Sequence, residues 1–169
     1  IIAKNKLNFF QVHRTRIEEP KSSIGIREVL ELTRGETTKN NVLVLTEFGE
    51  RLPAIRGDRV ELQQVVLNLI VNAIEAMDAV SGGSRQLMIT TATVDAGVLV
   101  SVQDAGPGLP SLAVDDLFAA FYTTKQRGLG LGLSICRSIV EGHGGQLTAR
   151  QGLRGGAVFE FTIPAAGTD

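Results

Sequence analysis

Hydrophobic and polar residues alternate with two periods along this chain, and each change of period marks a new element. Residues 1–19 give a charged, weakly amphipathic helical pattern, with Leu7, Phe10 and Ile17 on one side and Arg14 interrupting the stripe. Pro20 ends it. Ser22 or Ser23 offers an N-cap for a second helix with Ile26, Val29, Leu30 and Thr33 on one face, stopping at Gly35 or running on to Asn40. Residues 42–48 are β-branched and apolar, hence a strand, and Gly49 turns it. Residues 52–56 read as a short edge strand, where Pro53 is tolerated. Gly57-Asp58 marks a turn and an N-cap, and 59–79 is the longest helical pattern in the chain. After a Gly82-Gly83 loop, 86–94 and 98–103 form a hairpin across Asp95-Ala96-Gly97. Residues 105–128 are irregular, with a short helix near 114–118. The helical period returns over 129–141 and breaks at 142–145; 146–150 and 157–163 then close the chain as a hairpin around Gly155-Gly156. This order predicts an α/β (α+β) two-layer sandwich, one mixed sheet covered on one face by helices.

The length of 169 residues fits one domain with a short appendage. Lys and Arg number 17 against 18 Asp and Glu, for a net charge of -1, which argues against binding nucleic acid or a polybasic membrane role. The single Cys136 excludes an internal disulfide or a zinc cluster and fits a reducing compartment; its apolar surroundings make it a core residue. No apolar stretch approaches the about 18 residues of a membrane span and no signal peptide is visible, so a cytoplasmic domain without membrane contact is expected. A chain opening on Ile1 is expected to be cut from something longer.

Within the 59–79 helix, Glu61, Gln64, Asn68, Asn72 and Glu75 fall in a wedge of about 80° in an otherwise almost wholly apolar cylinder. Buried amides cost free energy unless bonded, so Asn68 and Asn72, one turn apart, either close a structural network or meet a ligand. Carboxamides suit a Mg²⁺ already held by phosphate oxygens. Asp104 precedes Gly106 and Gly108 at the end of a hairpin strand. An ionised Asp only accepts hydrogen bonds and so suits an exocyclic amine such as adenine N6; an ordinary Asp-Gly turn reads the same way. Gly128-Leu129-Gly130-Leu131-Gly132 opens a helix whose free N–H groups and dipole favour phosphate, and it is neither a Walker loop nor a dinucleotide fingerprint. Between these lie Phe118, Phe121, Tyr122 and Lys125: a loop whose Lys reaches a phosphate, or an anchored loop with a solvated Lys.

Taken together and in this order, the four segments resemble the catalytic ATP-binding domain of two-component sensor histidine kinases. Residues 64–76 resemble the N box, 104–108 the G1 box, 118–125 the F box and 128–133 the G2 box; 52–58 and 134–145 are similar as well. A lid ending in Thr123-Thr124-Lys125 resembles the nitrogen-regulatory and oxygen-sensing branch. The resemblance implies the fold shared with DNA gyrase, Hsp90 and MutL, a flexible ATP lid, and ATP and Mg²⁺ as cofactors. It implies that Asn72 ligates Mg²⁺, with Asn68 in support, and that Asp104 binds the adenine amine. Gly106 and Gly108 would make room for the base. Gly128, Leu129, Gly130, Leu131 and Gly132 would border the triphosphate, and Lys125 would contact it from the lid. The implied reaction moves the ATP γ-phosphoryl group to a His on a dimerisation helix, for relay to a response regulator receiver domain. The implied partners are that domain and the parent kinase's dimerisation and phosphoacceptor helices.

Hydrolytic members of the wider fold carry Glu four residues before the Mg²⁺-binding Asn. Here that position is Asn68, and an amide is no general base, which favours phosphoryl transfer over a gyrase-type ATPase clamp. A Ser/Thr kinase of the same fold is the other alternative. His13 precedes Arg14 rather than an acidic residue, so the acceptor is expected elsewhere, and His143 is expected to be structural. Residues 1–20 are read as the tail of a dimerisation helix, 21–41 as a connecting helix and 42–169 as the catalytic domain. Residues 112–127 are expected to be poorly ordered without nucleotide and to close over it.

Overall fold

The computed structural model describes residues 16–17, 23–95, 97–111, 114–122 and 130–167. The elements are β1 (Arg16–Ile17), α1 (Ile26–Lys39), β2 (Leu43–Phe48), β3 (Ile55–Arg56), α2 (Arg59–Asp78), β4 (Gln86–Val94), β5 (Gly97–Asp104), α3 (Val114–Leu117), α4 (Gly132–Gly142), β6 (Gln146–Gln151) and β7 (Ala157–Pro164). Five strands form one sheet in the order β2-β4-β5-β7-β6, with β2 and β4 parallel and the other neighbours antiparallel. Helices α2 and α4 pack on this sheet and α1 packs on α2, giving the predicted helix-on-mixed-sheet sandwich.

Strand periodicity decides which residues enter the core. On β5, Val98, Val100, Val102 and Asp104 are buried at alternate positions, facing the side of Leu87 and Ile89 on β4. The opposite face is polar: Ser101 Oγ donates to Glu160 Oε1 at 3.3 Å, and Arg150 donates to the same oxygen at 2.8 Å. Period 2 therefore carries a carboxylate, Asp104, into the layer between sheet and helices. From α2, Leu62, Val65, Val66, Leu69, Ile70, Ala73, Ile74 and Met77 enter the core at three- and four-residue spacing. Its N-terminus is capped as predicted: Asp58 Oδ1 accepts from the N–H groups of Val60 and Glu61 at 2.8 and 3.0 Å. By length and composition α2 is apolar enough to cross a bilayer, which corrects the expectation that no such segment exists. Here it is the central core helix.

Three local expectations are also corrected. Arg16–Ile17 is not the end of a helix but a strand, paired antiparallel with Ile55–Arg56. The helical pattern there was weak, and pairing with a distant segment outweighs it. The remainder of 1–22 lies outside the described residues. Helix α1 has no serine cap: it follows Gly25 at φ 66, with no side-chain cap bond, and passes through Gly35 to Lys39. Helix α4 begins at Gly132 rather than residue 129, because Gly130 adopts φ 66 and interrupts the helical geometry just upstream.

Candidate nucleotide site

The site is set by how α2 and α4 run past one another. His143, the C-cap residue of α4, accepts the Asp58 N–H at Nε2 (2.9 Å), at the start of α2. One stretch further along, the Cys136 thiol lies 3.9 Å from the Val65 carbonyl, with Asn68 near enough to favour its ionised form slightly. The two helices are thus antiparallel, with 143 beside 58 and 136 beside 65 and 68. Both rise about 1.5 Å per residue, so from Cys136 back to Gly132 helix α4 runs in the direction in which α2 runs from Val65 toward Asn72. The first turn of α4 has no side-chain cap. Among the described residues no carboxylate or hydroxyl caps its N–H groups, and its positive dipole end suits an anion. Asn68 and Asn72 are half-buried on the edge of the α2 core face, while Gln64 and Glu75 are exposed.

Asp104 is the last residue of β5. Its Oδ1 accepts two backbone donors, Gly106 N–H at 2.8 Å and Ala157 N–H at 3.1 Å. Burial pushes this carboxyl up from its ordinary range, and the two backbone donors pull it part of the way back. No buried side-chain oxygen or nitrogen among the described residues lacks a partner. Among the described residues both donors to the Asp104 carboxylate fall on Oδ1. Gly156, at φ 74, lies against the Asp104 carbonyl so closely that a Cβ there would collide with it. A Cβ on Gly106 would sit 3.2 Å from Ala76, so the loop after β5 leans on α2 one turn beyond Asn72. Gly108 (φ 87) backs onto the Gln151 amide, which accepts the Leu109 N–H at 2.9 Å.

Phe118 is buried edge-on to Phe159 with ring centroids 6.4 Å apart, and the Arg137 guanidinium lies 5.6 Å above its ring. Arg137 also pairs with Asp115 at 3.2 Å and Glu141 at 2.9 Å, joining α3 to α4. Phe121 donates its N–H to the Gly130 carbonyl at 2.9 Å. Lys125, Gly128 and Leu129, with residues 112–113 and 123–127 of the predicted lid, lie outside the described residues.

Of the residues singled out in the sequence, Asn68 and Asn72 lie on α2, Asp104 and Gly106 at the end of β5 and in the loop that leans on α2 at Ala76, and Gly130, Leu131 and Gly132 at the start of α4, which packs on α2. Gly108 sits farther out, on the Gln151 side. His143 is structural, as expected. Several partners were missed: Cys136 for Asn68, Ala157 and Gly156 for Asp104, Gln151 for Gly108 and Arg137 for Phe118. The Gly155-Gly156 pair was the one available signal, and it was read only as a hairpin turn. The arrangement fits a nucleotide chemically. It offers an acceptor-only group, two carboxamides and a helix N-terminus without a side-chain cap.

Residues 57–167 match the family of histidine kinase-, DNA gyrase B- and HSP90-like ATPases. The chain is 43% identical over 138 residues to the sensor histidine kinase TmoS of Ectopseudomonas mendocina, covering 80% of this chain and 14% of TmoS. It therefore spans a small part of that relative's length. Among solved structures, the nucleotide-free catalytic domain of histidine kinase ThkA is similar at a TM-score of 0.72 and 40% identity, over 82% of this chain and 89% of that one. ThkA in complex with the response regulator protein TrrA is similar at a TM-score of 0.70 and 36% identity, over 83% of this chain and 39% of that one.

Proposed function

The chain belongs to the histidine kinase-, DNA gyrase B- and HSP90-like ATPase family and is an ATP-binding catalytic domain of the sensor histidine kinase kind; from that premise we propose that it delivers the ATP γ-phosphoryl group to an imidazole on a dimerisation helix of its parent protein. The observation that supports this reading is the antiparallel packing of α4, whose first turn has no side-chain cap, on the helix that carries Asn68 and Asn72. Asp104 Oδ2 accepts from the adenine amine while Oδ1 stays on its two backbone donors. Gly106 and Gly108 let the loop approach the base. Gly128, Leu129, Gly130, Leu131 and Gly132 border the triphosphate at the start of α4, and Lys125 adds a positive charge. Asn72, steadied by Asn68, holds Mg²⁺ on the phosphates. When bound, that ion neutralises charge on the transferring group. The chain's own contribution is positioning and electrostatic complementarity.

A gyrase-type ATPase is the weaker reading. Asn68 is an amide and cannot serve as a general base for water. We read the residues preceding β1 as the tail of a dimerisation helix, and α1 as the connecting helix, seated through Ile26 and Val29 on the core it shares with α2. The response regulator is proposed as the next acceptor because a similar kinase, ThkA, is known in complex with one. The reaction is proposed to run in the cytoplasm, without nucleic-acid or membrane contact by this domain.

Incubating the chain with Mg·ATP and a separately supplied dimerisation and phosphoacceptor segment tests the reaction. An acid-labile, base-stable phosphoryl product on that segment is expected. An acid-stable ester would indicate Ser/Thr transfer, and rapid multiple-turnover phosphate release without acceptor would indicate an ATPase; either would overturn the proposal.

A further inference from the structure

We propose that His143 is a positioning residue of the nucleotide site: it fixes the antiparallel registry of α4 on α2 and so determines where the phosphate-binding end of α4 stands relative to Asn72. The proposal rests on the nucleotide reading above and assigns a task to a side chain which that reading leaves outside the site.

His143 is held from two elements at once. Its Nδ1 lies 2.7 Å from the Ile139 carbonyl and its Nε2 takes the Asp58 N–H at 2.9 Å. An acceptor at Nε2 and a carbonyl at Nδ1 require the neutral ring with its proton on Nδ1. Ile139 belongs to the last turns of α4, and Asp58 is the N-cap of α2, so a single ring ties the end of one helix to the start of the other. The fit is close. The His143 side chain is 7% exposed, and a Cβ on Gly57 would come within 2.6 Å of its Cδ2. Glu61 Oε2 stands 3.8 Å from Nε2 on the same side. The second tie between the helices is Cys136, through Val65 and Asn68. A thiol contact at 3.9 Å is the weaker of the two. Packed helices resist continuous sliding, but slipping by one residue moves the α4 N-terminus by about 1.5 Å, enough to spoil phosphate contacts. The adenine end is insulated from such a slip, because Asp104 is fixed by Gly106 and Ala157 on β5, its following loop and β7.

The registry role therefore predicts a selective loss. In His143→Asn, the shorter amide keeps a donor for Ile139 but does not reach Asp58. Mg·ATP affinity, measured by calorimetry on the whole chain, is expected to fall about tenfold or more. Adenosine affinity, followed by NMR titration, is expected to stay within about twofold. His143→Gln, whose longer amide returns an acceptor toward Asp58, is expected to recover most of the ATP affinity. Equal losses for ATP and adenosine, or no loss for either in folded His143→Asn, would overturn the proposal. If the His143 variants do not fold, Gly57→Ala, which displaces the ring without removing it, is read in the same way. Unfolding of that variant too would assign His143 to global stability alone and overturn the proposal. Failure of the wild-type chain to bind ATP would instead count against the nucleotide reading.

Discussion

Replacing Asp104 by Asn changes one atom's hydrogen-bonding sense at almost constant shape. The Asn carbonyl oxygen can take over both backbone donors, Gly106 N–H and Ala157 N–H, so the loop after β5 should hold its position. The NH₂ group then replaces Oδ2 and points a donor where the adenine amine also donates. A hydrogen bond to a charged group is worth about 1.5–3 kcal/mol, which corresponds to about a 10- to 150-fold loss of affinity. The upper part of that range is expected, since donor faces donor. Guanine presents a carbonyl at that position, so the ratio of ATP to GTP affinity should narrow. Stability should move the other way. Burial raises the Asp104 carboxyl above its ordinary value of 3.8, so the folded chain holds that proton more tightly than the unfolded chain. Its contribution to stability is therefore greatest below the ordinary value and declines as pH rises through the raised one. At neutral pH the ionised Asp104 costs the ligand-free fold free energy, which the neutral Asn does not. Urea denaturation at pH 7 should show the variant at least as stable as the wild type, with a flatter pH dependence on the acid side. Calorimetry with ATP and GTP supplies the binding half. Wild-type ATP affinity in Asp104→Asn would refute the assignment of the adenine contact. Joint loss of binding and stability would show that the residue holds the fold rather than reads the base.

Asn72→Ala should abolish most of the Mg²⁺-dependent gain in ATP affinity, by about tenfold or more, and leave metal-free ATP binding nearly unchanged. Equal losses with and without Mg²⁺ would remove Asn72 from the metal site. Burial pushes the Cys136 thiol up to about 11, with a smaller opposing pull from Asn68. At pH 8 only about one thiol in a thousand is then ionised, so alkylation should be far slower in the folded chain than in denaturant, and equal rates would contradict the burial.

What the sequence disclosed is what is decided locally. Strand alternation over 98–104 and the three-and-four spacing along α2 are properties of contiguous residues, so the sheet and the core helix could be read from them. The start of α4 could not, because Leu129, Gly130 and Leu131 continue the apolar pattern while Gly130 turns to φ 66 beside Phe121. Strand β1 was hidden for the same reason, its partner Ile55–Arg56 being remote in the chain. The polar stripe on α2 was visible as a list of residues, but the wiring of its members was not. Asn68 shows what that wiring adds. The Cys136 thiol lies 3.9 Å from the Val65 carbonyl, and Asn68 is near enough to pull its raised pKa a little way back. A carboxylate at position 68 would lie half-buried beside that sulfur with no N–H to offer it. The packing of α4 on α2 therefore suits an amide at this position better than an acid.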